Sequence, residues 1–313
     1  MSDANTTGEG SSSAKTPASG VPGIAATAAA VIPVPSSDHG ADTVWVEQIS
    51  FIDRVPRAVS MAFVFVVFIG LWQLSTSLGL VSPIILPTPG ETFADMVFVG
   101  KNLLSGGYML PALWITVKEV IYGFALAIAI GFSLGVLVGE TVFGERAIMP
   151  YLVAIDTMPK VAFAPLFVAW LGFGIESKVA LAAFIATFPI VVGTAAGLHA
   201  ADENARMLFK TMGASRLQTL IKMKLPSGLP QIFTGLKIGA VGVMAGAITG
   251  EFLGGGKGFG ELIRVAASQL QTPRVFSLIL YLSLLGLALY ALVTATQRRV
   301  VFWQKDTVMG SHD

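Results

Sequence analysis

The 313-residue chain has no cysteine, three histidines and unusually few charges. Without cysteine there are no disulfides, no thiolate metal ligands and no thiol nucleophile. The histidines, His39, His199 and His312, lie far apart in the sequence, so metal or triad chemistry has little to draw on. Charged residues make up 12% of the chain, about half the share of a soluble domain. A net charge of +1, with no basic stripe, argues against a nucleic-acid binder. A phosphate-cradling G-x-x-x-x-G-K-[ST] loop is missing too. Its nearest approximation, around Gly256-Lys257, has Glu251 in place of the first glycine and Gly258 in place of the hydroxyl residue. The chain is therefore not expected to hydrolyse ATP, to be an enzyme or to hold a cofactor or metal. What it has in abundance is apolar surface: 54% hydrophobic residues and a mean hydropathy of +0.73. That is the composition of an all-α integral membrane protein, in contact with lipid.

Residues 1–50 carry no periodic apolar pattern and are rich in Ser, Thr, Ala, Gly and Pro. Met1 to Gly20 has one lysine and two acids, which does not fit a secretory signal. This stretch reads as a disordered cytosolic tail, a dispensable extension of a membrane domain over 51–305. Six spans are expected, at about 58–80, 113–138, 148–173, 179–198, 232–253 and 275–295. The proline-rich stretch after the first span, with Pro83, Pro87, Pro89 and Gly90, reads as a loop of extended and turn structure. Gly131, Gly135 and Gly139 repeat every four residues, so a neighbouring helix can pack closely on them. With both termini inside, eleven basic residues fall on the cytosolic side and five outside, the asymmetry expected of an inner-membrane protein.

The polar segment 199–230 interrupts this apolar chain and falls on the cytosolic side. Asp202 is placed to cap a short helix carrying Ala205, Leu208 and Phe209. Gly213 breaks it, Ser215 caps a second helix, and Pro226 is expected to end that one. Helix, elbow, helix makes a rigid lever bearing Arg206, Lys210, Arg216, Lys222 and Lys224.

The run from Gly213 through Met223 to Leu225-Pro226 resembles the cytoplasmic signature of permease subunits of ABC importers. That family's pattern is Glu-Ala-Ala, three residues, Gly, nine residues, Ile, one residue, Leu-Pro. Spacing is kept from Gly213 onward, with Met223 in the isoleucine position and Met207-Leu208-Phe209 in place of Glu-Ala-Ala. Glu203, one turn earlier, stands as the substitute carboxylate. Leu86-Pro87-Thr88-Pro89, Gly123-Phe124, the run from Met158 to Leu166, Phe173-Gly174, Gly250-Glu251-Phe252 and Gly258-Phe259-Gly260 resemble the nitrate/sulfonate/taurine branch.

The resemblance covers about 58–300. It implies a type I (MetI-like) permease fold with six transmembrane helices. Two permease chains, expected to be copies of one another, surround one path. Cytosolic ATPase subunits dock on the lever, and an extracytoplasmic solute-binding protein delivers a small solute such as a sulfonate or nitrate. Glu203, Leu208, Gly213, Ala214, Ser215, Arg216, Leu225 and Pro226 are the expected coupling residues. Asp156, Lys160 and Pro165 are candidates for the path: Asp156 and Lys160, four apart, can share one face of the third span, with Lys160 near the membrane midplane. Lys118, Glu119 and Glu251 are expected to snorkel outward and Lys237 inward. The rival readings are a secondary transporter working without an ATPase, which calls for an inverted internal repeat, and a structural or sensory subunit.

Overall fold

The structure, a computed structural model, describes residues 56–303, so the tail at 1–50 lies outside the described residues. Two units are distinguished, one ending at Val67 and the other starting at Phe68. The helix α1 (Arg57–Ser77) runs through that boundary, and all later elements belong to the second unit. They are α2 (Pro89–Leu104), α3 (Met109–Glu140), α4 (Met149–Thr157), α5 (Ala164–Leu171), α6 (Ile175–His199), α7 (Glu203–Thr211), α8 (Arg216–Thr219), α9 (Leu225–Gly254), α10 (Phe259–Ser268) and α11 (Thr272–Val300). Every regular element among the described residues is helical.

Five stretches are long and apolar enough to cross a bilayer: Ala58–Ser77, Met109–Glu140, Ile175–His199, Arg216–Gly254 and Thr272–Val300. The sixth, the expected third span, is broken. Its halves, Gly144–Thr157 and Lys160–Leu171, meet at 89°. The break lies at Met158-Pro159, where proline pushes the preceding residue out of helical geometry: Met158 sits at φ −72°, ψ 146°. Pro165 then falls in the first turn of α5, where its missing N–H removes no hydrogen bond.

Two further expectations are corrected. The proline-rich loop contains α2, started by a capping box in which Glu91 N–H donates to Thr88 Oγ1 at 3.2 Å and Thr88 N–H donates to the Glu91 carboxylate at 3.0 Å. This helix lies along α11: Arg274 pairs with Asp95 at 2.8 Å, and Tyr281 OH donates to Met96 O at 3.1 Å. Nor does Pro226 end the second lever helix. A π-helical segment, Leu220–Lys224, joins α8 to α9 without interruption, and Pro226 becomes a first-turn residue of α9. A wide turn is one way a helix accommodates a residue with no donor.

The centre of the bundle is α6 with α9 on one side and α3 on the other, the two most extensive helix contacts in the chain. Lipid supplies no hydrophobic drive to pair helices, so small residues that permit close backbone approach must supply it by packing. The glycine repeat of α3 seats on α6 as expected. A Cβ on Gly131 would come within 2.8 Å of Ile190, and one on Gly135 within 2.5 Å of Thr194. Across the other face a Cβ on Gly193 would meet Gly235 Cα at 2.6 Å, and one on Gly246 would meet Ala182 Cα at 2.6 Å. Ala182, Ala186, Ile190, Val243 and Ala247 fill the rest of this interface and are almost wholly buried.

Candidate coupling surface and translocation site

The lever forms from local signals alone. Asp202 accepts from the Asn204 N–H at 3.2 Å, capping α7. Ser215 and Gln218 form a reciprocal capping box at the start of α8. Between them Gly213 takes φ +72°, Ala214 N–H donates to Phe209 O at 3.0 Å and Gly213 N–H to Lys210 O at 3.1 Å. Those two bonds are the Schellman closure of a helix, and only the left-handed backbone of Gly213 permits them.

The expected coupling residues divide into three groups. Glu203, Ala214 and Arg216 line one polar cleft of about 830 Å³, shared with Glu140, Glu145, Lys210 and Lys224. Gly213 and Ser215 are exposed on the elbow, and Leu208 is exposed on α7. Leu225 and Pro226 are half-buried at the start of α9, away from the elbow, where they belong to the membrane bundle. Glu203 pairs with Arg206 at 3.3 Å, whereas Arg216 makes no ion pair among the described residues. Lys224 ties the lever to the end of α3 through Glu140 at 2.8 Å.

On the apolar side of this surface, reasoning from the sequence reaches Leu208 and misses its neighbours. Met207, Leu208, Met212, Leu217 and Ile221 are all more than half exposed on a segment otherwise rich in charge. Their helical spacing was the available signal, but spacing alone does not say whether a stripe faces the core or a partner. An exposed apolar patch of this kind marks an interaction site.

Of the path candidates, Asp156 and Lys160 form an ion pair, with about a quarter of each side chain exposed. They do so across the break of the bent span, on α4 and on the 3-10 turn Lys160–Phe163, rather than along one helix face. Counting helical rise through this span therefore gives no depth for Lys160. Both line a cavity of about 380 Å³ whose other walls come from α3, α5 and α6. Pro165 is exposed and does not line it.

Two of the four charges expected to snorkel, Glu119 and Glu251, do the opposite, and Lys178 is buried with them, whereas Lys118 and Lys237 stay half-exposed. Glu119 of α3 and Glu251 of α9 have no solvent exposure, and Lys178 of α6 has 3%. Lys178 Nζ lies 3.1 Å from the Glu119 carboxylate. Thr116 donates to Glu251 at 2.5 Å and accepts from the Phe259 N–H at 2.9 Å, while the Gly260 N–H donates to the second Glu251 oxygen. Gly258 and Gly260 leave room for that carboxylate, which a Cβ at either position would strike. Three transmembrane helices and the start of α10 are thus fastened by one buried polar cluster.

A helical bundle with a bent span, a glycine-packed core and a charged lever continuous with α9 is the build of a membrane-embedded protein. Residues 127–302 match the family model described as binding-protein-dependent transport system inner membrane component. The chain is 34% identical over 252 residues to the formylaminopyrimidine transport permease protein ThiX of Halalkalibacterium halodurans, covering 80% of this chain and 98% of that one. It is 31% identical to the riboflavin transport system permease protein RibX of Chloroflexus aurantiacus, over 79% of this chain and 91% of that one. It is 30% identical to the putative aliphatic sulfonates transport permease protein SsuC of Bacillus subtilis, over 76% and 85%. Inward-facing structures of the MetNI methionine ABC transporter share the fold, with a TM-score of 0.54, 17% identity and coverage of 61% of this chain and 95% of that chain. The chain belongs to the family of inner-membrane permease subunits of binding-protein-dependent ABC importers. Such a subunit is not itself an enzyme; ATP is hydrolysed by a separate subunit, and substrate arrives on a binding protein.

Proposed function

We propose that this permease is driven by cytosolic ATPase subunits that grip the 202–221 lever, and that two copies of the chain enclose the path between them. The observation that carries this reading is the elbow itself. Two capped helices hold Gly213, Ser215 and Arg216 in the open beside five exposed apolar side chains, at the end of a helix continuous from Arg216 to Gly254. Displacement of such a lever is carried into α9, with which it is continuous. Because α9 is locked to α6 by facing glycines, the two move as one body, and closure of the ATPases shifts the population between two orientations of the bundle. On this reading both termini and the lever are cytosolic, which the excess of basic residues on that side supports.

The cargo is a small solute. Kinship to sulfonate, nitrate and taurine permeases supports the expected anion, and kinship to formylaminopyrimidine and riboflavin permeases supports a heteroaromatic compound.

The coupling reading is tested with Gly213→Trp and Arg216→Glu in the complete transporter. Each is expected to leave the permease folded in the membrane and to abolish ATP-driven import, with Gly213→Trp also weakening co-purification of the ATPase. Normal import by either variant removes the lever from the coupling path. Import by the chain with no ATPase present overturns the importer mechanism in favour of a secondary transporter.

A further inference from the structure

The cavity at the broken span combines three properties. Its walls are apolar and aromatic: Phe167, Phe184 and Phe188 line it, Phe184 packs on Phe163 with ring centroids 5.3 Å apart and on Phe167 at 5.7 Å, and Leu126 and Ile130 close the α3 side. Among the described residues its only charged lining side chains, Asp156 and Lys160, neutralise each other. The hydroxyl proton of Thr187, its one other polar lining side chain, is already given to Ala183 O at 2.7 Å.

An inorganic or sulfonate anion entering this space would lose its hydration and find no uncompensated cation and no free cluster of donors, which is costly. A flat, uncharged ring would lose little. It can pack on the phenylalanine rings of the wall in the offset or edge-to-face geometries that aromatic pairs prefer. At its edge it would meet a carboxylate that accepts and an ammonium that donates, four residues apart. Lys160 Nζ, 5.9 Å from the Phe188 ring centroid, is placed to serve a ligand lying on that ring. A volume of about 380 Å³ lies within the range of small-molecule sites, roughly 300–1,000 Å³.

We propose that this cavity is a transit subsite for an uncharged heteroaromatic solute bearing a hydrogen-bond donor beside an acceptor, and not for a small anion. The proposal rests on the reading that the α3–α6 face with the broken span lines the translocation path. A single ion pair gives the site direction without the grip of many contacts, which suits a place that cargo must leave.

Because the chain contains no cysteine, Thr187→Cys creates a unique thiol inside the cavity. The complete transporter carrying this variant, in lipid nanodiscs, is treated with a small maleimide in the presence of formylaminopyrimidine, taurine or nitrate. Formylaminopyrimidine is expected to slow labelling about tenfold at ten times its dissociation constant, and taurine and nitrate to leave the rate unchanged. Asp156→Asn on the same background is expected to remove the protection. Protection by taurine or nitrate instead overturns the class of ligand. No protection by any of them up to about 10 mM, or equal protection by a short alkyl detergent, overturns the subsite. Protection that survives Asp156→Asn overturns the role of the ion pair. Ala180→Cys, on the adjoining wall, serves if Thr187→Cys fails to assemble. Binding-protein-stimulated ATP hydrolysis on the same preparation reports independently whether the importer reading holds.

Discussion

At one end of α3, α6 and α9, Glu119 and Lys178 pair with no more than 4% of either side chain exposed; at the lever end, Glu203 and Arg206 pair with more than half of each in the open. The same helices thus carry a sealed polar knot at one extremity and a solvated, partly apolar surface at the other. Midway in character is Asp156–Lys160, about a quarter exposed on a cavity wall. The difference is one of purpose. Charges withdrawn from water are expensive unless fully matched, so the knot fixes one arrangement of four elements and resists any other. The lever's charges cost almost nothing where they are and stay available to a partner.

Four substitutions probe that contrast, and the largest effect is expected at the knot. Lys178→Met leaves two buried carboxyl groups with no cation and should destabilise the folded permease by about 3–5 kcal/mol, read as the steepest fall in thermal unfolding temperature of the solubilised chain. Thr116→Val comes next. It deprives the Phe259 N–H of its acceptor and Glu251 of a donor, and about 1–3 kcal/mol should be lost, together with faster hydrogen exchange at the start of α10. Lys160→Met should cost less than either, because about a quarter of each side chain of the pair lies uncovered by the protein, while changing the accessibility of the cavity. Arg206→Ala, at the open end, should leave unfolding unchanged within error. If Lys178→Met proves no more harmful than Lys160→Met, burial is not what distinguishes the two groups of charges and the contrast fails.

Much of the lever was legible in advance. Asp202, Gly213 and Ser215 act through hydrogen bonds spanning two to five residues, and such signals survive in a linear reading. Hydropathy located the spans, and the repeat of Gly131, Gly135 and Gly139 announced a close helix contact, now seen on α6. Other features were written locally but overruled. Thr88 and Glu91 mark the start of α2, yet the surrounding prolines read as loop. Met158-Pro159 reads as lying inside a single span that Pro159 bends, and the bend is a break of 89° because a proline forces the preceding residue out of the helix. Pro226 was read as a stop, and a π turn let the helix pass through. The knot left no local trace at all: Glu119, Lys178 and Glu251 are about 60 and 70 positions apart in succession, and each alone looks like a snorkelling charge near a helix end.

From the sequence by itself came the membrane class, the family signature, the caps and the elbow, because composition and hydrogen bonds between near neighbours need no knowledge of the rest of the chain. Tertiary structure decided which charges are sealed and which are offered, which walls close on the broken third span to make an aromatic cavity, and that the lever's methionines and leucines face outward. Those outcomes depend on which helices lie side by side, and a buried charge or an exposed apolar side chain is defined only by what surrounds it.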